Sequence, residues 1–252
     1  MIIGNMATFP ARKDTLESAV HNIARQVDML NLCLNEYTEI PSWIDDHANV
    51  RAIIPQTDLK DLGKFMFEVD GQDDVFLVDD DLHYPADYVS QTLEIRERYN
   101  LEHCVVGYHG TIYRHPGVMD ILRATIRNRT VSRPRLGQCK DLHAYNERLD
   151  RPRVVAQIGT GTVLAKGHML PDLTFMIGAD RRADVRFARW SFDRNTAQIA
   201  LPRRAGWIPG TEDDSNSIWK TYTSKLPEEF VDEIKAFAFD VQSLGDYLEA
   251  RA

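Results

Sequence analysis

Cysteine is scarce in this chain: Cys33, Cys104 and Cys139 are the only three, odd in number and far apart. That pattern gives no disulfide framework and no zinc-ligand spacing. Cys33 and Cys104 lie in apolar runs and are expected to be buried free thiols, which fits a reducing cytoplasm. No run approaches eighteen apolar residues, so no transmembrane helix is expected. Met1 leads directly into the strand-like Ile2-Ile3, without a basic region and apolar core, so no secretory leader is expected. There is no G-x-G-x-x-G, no Walker loop, no internal repeat and no low-complexity linker. The net charge of −8 argues against a general nucleic-acid binder.

What charge there is lies unevenly. From Arg114 to Arg153, nine Arg and one Lys stand against three Asp and one Glu, a net +6 that leaves −14 on the rest. A basic segment on an acidic chain is either a solvated arginine-rich loop or the seat of a local anionic partner.

The first half alternates short apolar runs with helical spacing. Residues 1–6 read as a strand, and Asp14-x-x-Glu17 has the form of a capping box ahead of Leu16, Val20, Ile23 and Val27. Strands are expected at Met29–Leu34 and Val50–Ile54, a helix through Gly63–Val69, and a strand at Asp74–Val78 whose unbroken DVFLV run suits burial on both faces. A helix over Ala86–Arg98 and a strand at Cys104–Tyr108 follow. This βαβα rhythm predicts an α/β fold with a mostly parallel sheet flanked by helices. The second half is less regular. Strands are expected at Val154–Ile158, Val163–Ala165 and Ile199–Leu201, with helices over Arg182–Arg194 and Pro227–Ser243.

In open α/β sheets, ligands bind beyond the carboxyl ends of the strands. Asp79, Asp80 and Asp81 stand at that end of DVFLV. Three consecutive carboxylates repel one another, and a nearby cation relieves the repulsion. Hard ions such as Mg2+ or Mn2+ take oxygen ligands, commonly one or two carboxylates plus substrate phosphates. Strand alternation puts Asp79 and Asp81 on one face and Asp80 on the other. Asp81 is the expected direct metal ligand, and Asp79 the contact to ribose or a metal-bound water. An exposed acidic turn is the bland alternative; an EF-hand fits poorly, because the loop lacks the Gly and the terminal Glu at the needed spacing. Upstream, the turn Thr8-Phe9-Pro10-Ala11-Arg12 offers helix-start amides and a guanidinium for a phosphate or pyrimidine. In Lys60-Asp61-Leu62-Gly63-Lys64-Phe65, Lys64 can neutralise a diphosphate and Asp61 can bind base or ribose, unless the segment is an ordinary helix cap.

The segments NLCLNEYTEIP, KDLGKF, LVDDDLHYPADYV, VGYHGTIY, RPRVVAQIGTGTVLAK and ADVRFAR, in this order, resemble the α-1,4-N-acetylglucosaminyltransferases of heparosan-type capsule synthesis. The resemblance runs from Asn5 to about Trp219. It implies a GT-A (Rossmann-like) glycosyltransferase fold, with a nucleotide-sugar-binding half (1–100), an acceptor-binding half (101–226) and a C-terminal helix and tail (227–252). It further implies a UDP-N-acetylglucosamine (UDP-GlcNAc) donor, a Mn2+ or Mg2+ requirement, and retaining transfer to a glucuronic-acid-ended chain. A glucuronosyltransferase would be the partner enzyme, and a cytoplasmic site, with peripheral association at the inner membrane face, is the matching location. The sequence departs from the family after Tyr113, where it is longer and richer in arginine, and after Trp207, at IPGTEDDSNS.

A second carboxylate near the anomeric carbon is expected from the later half. Asp184 in ADVRF matches the family segment and is the first candidate, with Asp180 second; the plain alternative for Asp184 is an ion pair with Arg181 or Arg182. Gly161, between Thr160 and Thr162, permits close backbone approach to a sugar, although a hairpin turn explains it equally. His109 falls at a strand end beside the donor or acceptor. For the acceptor, Arg127, Arg129, Arg133 and Arg135 suit carboxylates, joined by Thr160, Arg186 and Trp207 as a stacking surface. Anionic lipid headgroups compete as the arginines' partner. Three rivals stay open: a GT-A enzyme using another UDP-sugar, a non-catalytic sugar-nucleotide-binding partner, and a nucleotidyltransferase, which would release pyrophosphate.

Overall fold

The computed structural model describes residues 1–128, 139–209 and 228–239. Its strands are β1 (Ile2–Thr8), β2 (Met29–Leu34), β3 (Val50–Ile53), β4 (Asp74–Asp79), β5 (Val105–Gly107), β6 (Gly110–Tyr113), β7 (Lys140–His143), β8 (Arg153–Val155), β9 (Gln157–Ile158), β10 (Thr162–Lys166) and β11 (Gln198–Ala200). Eight of them form one sheet in the order β3-β2-β1-β4-β10-β5-β11-β8, and β7-β6-β9 form a second, small antiparallel one. The large sheet is mostly parallel, as β1 pairs in parallel with β2 and β4, β2 with β3, and β5 with β11.

Helices cover both faces. On one side α1 (Lys13–Ala24) and α2 (Tyr88–Arg98) pack Leu16, Val20, Ile23 and Tyr88 against Met6, Leu32, Phe76 and Val78. On the other, α4 (Leu173–Met176), α5 (Ala183–Asp193) and α6 (Glu228–Phe237) bring Met176, Phe187 and Ile234 against Val75, Leu77 and Val163. The residues of β4 alternate between these two cores, and Val75 through Val78 are fully buried. A strand covered on both faces has no polar side to show, which is why DVFLV reads as an unbroken apolar run.

Several boundaries differ from expectation, each for a local reason. No capping box forms at Asp14: α1 starts one residue earlier, and Arg12 occupies the N-cap position without a side-chain cap bond. The helix expected through Gly63–Val69 is a 3-10 turn, Lys60–Phe65, pressed onto the sheet at Gly63, where a Cβ would lie 2.5 Å from Cys33 Sγ and 3.1 Å from Ala7 Cβ. The single strand expected at Val154–Ile158 is two, because Arg153–Val155 pairs with β11 while Gln157–Ile158 crosses to β6. β6, β7 and helix α3 (Val118–Asn128) were not foreseen. The ends expected for the last helix, Pro227 and Ser243, lie outside the described residues.

β10 has the greatest consequence for function. It runs antiparallel between β4 and β5, with Thr162 opposite Val78. Its amino end therefore reaches the carboxyl end of β4 and delivers the Gly159–Thr162 loop there. Gly107, the last residue of β5, permits this fit, since a Cβ would lie 2.5 Å from Thr162 O and 2.8 Å from Ile158 Cδ1. Thr162 O belongs to the β10 backbone and cannot retreat freely. Gly107→Ala is expected to lower stability by about 1–3 kcal/mol, measured by urea unfolding; an unchanged midpoint would contradict this packing.

Candidate active site

The site assembles at the carboxyl ends of β1 and β4. After β1 the chain turns through Pro10–Arg12, and the buried Arg12 sends Nη2 to within 2.9 Å of Asp81 Oδ2. The three aspartates stand at the end of β4, Asp79 as its last residue and Asp80 and Asp81 just beyond it. The strand stops at Asp79, so strict alternation does not carry on to Asp81, and the three carboxyl groups are separated by their partners instead. Asp79 meets Lys64 and Asp81 meets Arg12, while Asp80 is buried, its Oδ2 without a hydrogen-bond partner. Burial, aided by the neighbouring Asp81 and Asp79 charges, lifts Asp80 to about 7. Burial and the Asp79 charge also raise Asp81 above the ordinary carboxylate range, with Arg12 opposing.

Lys64 lies at the centre. Its turn is held by asparagines on the sheet: Asn5 Nδ2 donates to Lys64 O (3.0 Å) and Asn35 Nδ2 to Lys60 O (3.0 Å), while Asn31 Nδ2 donates to Asn5 Oδ1 (2.9 Å). The Lys64 ammonium, almost wholly buried, donates to Asp79 Oδ1 and lies 3.3 Å from Thr160 O. Burial alone would lower its pKa. The Asp79 charge and hydrogen bond, with Asp184 and Asp61 behind them, hold it above its ordinary value instead.

Two further contacts fix this geometry. Tyr84 Oη accepts from Asp79 N (2.6 Å) and donates to Gly161 O (2.7 Å), stapling the end of β4 to the Gly159–Thr162 loop. At Gly161 an added Cβ would overlap the Asp79 carboxylate, so glycine there is a requirement of the site. Asp184, in the first turn of α5, accepts from both Thr160 N (2.9 Å) and Thr160 Oγ1 (2.8 Å). The ion pair with Arg181 or Arg182 weighed for it is thus replaced by a bond to the loop that faces Asp79. Asp61 accepts from Arg181 N (2.5 Å) and Ala183 N (3.2 Å), closing the start of α5, where an anion is favoured by the helix dipole. Burial raises Asp61 to about 6 against those bonds, with the Asp184 charge adding to the rise.

The remaining candidates divide. Thr8 is buried at the end of β1, where its hydroxyl faces the Asp80 carboxyl and opposes the rise in that group's pKa, beside Phe9 at the turn. His109 O accepts from Gly159 N (2.7 Å); burial lowers the imidazole pKa while Asp184 opposes. Asp180 stands on the exposed rim, paired with Lys60 at 2.7 Å. Two candidates are placed elsewhere. Arg186 pairs with Glu233 of α6 (2.6 Å) and donates to Phe175 O, tying helices together. Trp207 is buried, stacked on Tyr88 at 6.0 Å and edge-on to Tyr108 at 5.0 Å, so it packs as a core residue. The Arg127 side chain, Arg129, Arg133 and Arg135 lie outside the described residues.

Sequence reasoning missed Tyr84, the three asparagines and Lys140, a half-buried lysine whose pKa is lowered by desolvation, with the Asp184 charge opposing. Asparagines recurring inside the apolar NLCLN run were a usable signal, since a buried amide needs partners.

Five carboxyl groups (Asp61, Asp79, Asp80, Asp81 and Asp184) thus gather around two cations, Lys64 and Arg12. Among the described residues no three His, Cys, Asp or Glu side chains form a ready ligand set. The partly exposed Asp79 and Asp81 carboxylates are hard oxygen donors of the kind a divalent ion takes when water and phosphate complete its shell.

No family model matches the chain, and no curated protein matches it. Among solved structures, the crystal structure of S. aureus TarS 1-349 is similar at TM-score 0.52 and 11% identity, over 95% of this chain and 71% of that one. That likeness shows the fold alone, an α/β arrangement with a large, mostly parallel sheet between helices.

The raised Asp61 gives a signed expectation. The folded chain holds that proton up to about pH 6, whereas an unfolded aspartate releases it near 3.8. The folded state therefore binds more protons within that window, and stability falls as pH rises through it. Asp61→Asn is expected to flatten the slope of unfolding free energy between those pH values by at most about 3 kcal/mol in total; an unchanged slope contradicts the assignment.

Proposed function

We propose that the chain is a glycosyltransferase whose sugar-nucleotide donor lies over the carboxyl ends of β1 and β4, with the sugar acceptor on the Asp184 and His109 side. The observation that carries this is the Lys64 ammonium, buried between Asp79 and Thr160 O, with Gly161 leaving room for the Asp79 carboxylate. The narrower reading is retaining, α-1,4 transfer of N-acetylglucosamine from UDP-GlcNAc to a glucuronic-acid-ended chain. Its support is the sequence resemblance together with where the resembling segments fall: KDLGKF supplies Asp61 and Lys64, LVDDDLHYP supplies Asp79–Asp81 and Tyr84, VGYHG supplies His109, GTG supplies Thr160 and Gly161, and ADVRF supplies Asp184.

On this reading Asp81 and Asp79 would hold Mn2+ or Mg2+, which when bound supplies positive charge for the departing diphosphate. Lys64 and Arg12 provide fixed positive charge at the same edge, already oriented and shielded from water, where such charge acts most strongly. Asp61 binds base or ribose from the amino end of α5. Asp184 spends both Thr160 bonds on Oδ1, and Oδ2 makes no hydrogen bond among the described residues. That oxygen is the one assigned to the anomeric centre, where it stabilises the oxocarbenium-like sugar or attacks it.

The test is incubation with UDP-GlcNAc, Mn2+ and a short glucuronic-acid-ended oligosaccharide, followed by mass and linkage analysis. The expected product is one N-acetylglucosamine longer, in α-1,4 linkage. Lys64→Met and Asp184→Asn are expected to lower kcat about a hundred- to a thousandfold. Transfer from a different UDP-sugar would correct the donor, and release of pyrophosphate would replace the reaction class.

A further inference from the structure

A cavity of about 280 Å3 opens beside α2, lined by Asp87, Gln91, Ile95, Arg203, Arg204 and Trp207 among others. It lies along the same edge of the large sheet as the candidate active site. β4 and β5 both pair antiparallel with β10, and β5 pairs in parallel with β11, so the carboxyl ends of β4 and β11 point the same way. Beyond β11, residues 201–207 form a braced loop. Arg203 N donates to Leu149 O (2.9 Å) and Leu149 N to Arg203 O (3.0 Å). Gly206, in the left-handed region at φ 69°, donates to Asn146 O (2.8 Å) and turns the chain so that Trp207 returns to the core.

Arg203 is the group in this cavity that calls for a partner. It is only 7% exposed, donates from Nη1 to Leu201 O (3.0 Å) and from Nη2 to Ala144 O, and its buried Nε has no hydrogen-bond partner. Both acceptors are neutral carbonyls. Among the described residues it forms no ion pair, and neither does Arg204 beside it. Burial pushes the Arg203 guanidinium down to about 10, with the Glu147 charge opposing. A buried cation without a counter-charge is costly, and a guanidinium is shaped to receive a carboxylate. The rest of the lining suits a hydroxylated ring. Asp87 and Gln91 offer polar groups to hydroxyls, while Ile95 and Trp207, whose Nε1 is already given to Asp87 Oδ1 (3.3 Å), form an apolar wall. A carboxylate, hydroxyls and an apolar ring face occur together in an acidic sugar. The volume falls just below the ~300 Å3 at which ligand pockets begin, which suits one sugar ring and not a nucleotide.

The position of the cavity suits the same ligand. Tyr84, which holds Asp79 N and Gly161 O, lies 4.8 Å from Tyr88 between ring centroids, and Tyr88 lies 6.0 Å from Trp207. The cavity is therefore two ring-to-ring steps from the candidate active site, on the scale of a short oligosaccharide. We infer that it is a second carbohydrate subsite, in which Arg203 holds the carboxylate of an interior acidic sugar of the acceptor chain. The acceptor as the source rests on the transferase reading, whereas the preference for an acidic ring rests on the lining alone.

The test is calorimetric titration of the full chain with oligosaccharides in which glucuronic acid alternates with N-acetylglucosamine. A disaccharide and a hexasaccharide with the same acidic end are compared with the hexasaccharide after reduction of its carboxyl groups to alcohols. The hexasaccharide is expected to bind about tenfold more tightly than the disaccharide, and its reduced form to lose that advantage. Gln91→Glu puts a negative charge into the cavity from a half-buried position and is expected to abolish the advantage without changing disaccharide or UDP affinity. Arg203→Gln is expected to do the same, with circular dichroism checking the loop that Arg203 also braces. Equal affinity for both lengths, an advantage that the reduced form keeps, or one that survives Gln91→Glu would each overturn the inference. Free glucuronate binding as tightly as the hexasaccharide, and lost in Gln91→Glu, would overturn the acceptor chain as the source. Length-dependent binding without sugar transfer would support the subsite and remove the narrower transferase reading; transfer with no dependence on length would do the reverse.

Discussion

The site depends on one buried ion pair. Lys64 carries a full charge where water is almost excluded, which is costly for an isolated ammonium. It is held charged by Asp79 in direct contact and by Asp184 and Asp61 nearby. A contact pair of this kind attracts by roughly 4 kcal/mol at the effective dielectric of partly buried sites, and either partner alone would be left uncompensated. The surroundings are consequently built to hold both halves in place. Asn5, Asn31 and Asn35 fix the turn that carries Lys64, and Tyr84 and Gly161 fix the strand end that carries Asp79.

From that pair the rest of the cleft follows in sequence. Lys64 also reaches Thr160 O, and Thr160 in turn donates twice to Asp184. The two carboxylates that the sequence separates by more than a hundred residues are therefore linked through one lysine and one threonine. The three consecutive aspartates are not equivalent: two face protein cations, and the third, Asp80, is buried and lifted towards neutrality. On the proposed reading, the excess of carboxyl groups over cations would leave a place for a divalent ion and a phosphate-bearing ligand.

The legible parts of the fold were those governed by periodicity. DVFLV announced a strand buried on both faces, and α1, α2 and α5 announced themselves by helical spacing. The Asp run and the KDLGKF turn stood out by composition, three carboxylates after an apolar strand and a lysine–aspartate pair around a glycine, although an acidic turn and a helix cap read the same way. What stayed hidden depended on topology. Nothing local in Thr162–Lys166 says that β10 runs antiparallel, yet that reversal brings Gly161 to Asp79. Arg186 and Trp207 were assigned to sugar because their side chains are chemically suited to it. Their neighbours Glu233 and Tyr88, distant in sequence, had already claimed them.

The role proposed for the Asp79–Asp81 edge is to bind a diphosphate together with a divalent ion. Calorimetric titration of UDP into the chain, with and without Mn2+, tests it most directly. The account predicts that Mn2+ tightens UDP binding to the wild type, and that Asp81→Ala, folded by circular dichroism, loses that increment. UDP affinity indifferent to Mn2+, or an increment that survives in Asp81→Ala, would contradict it.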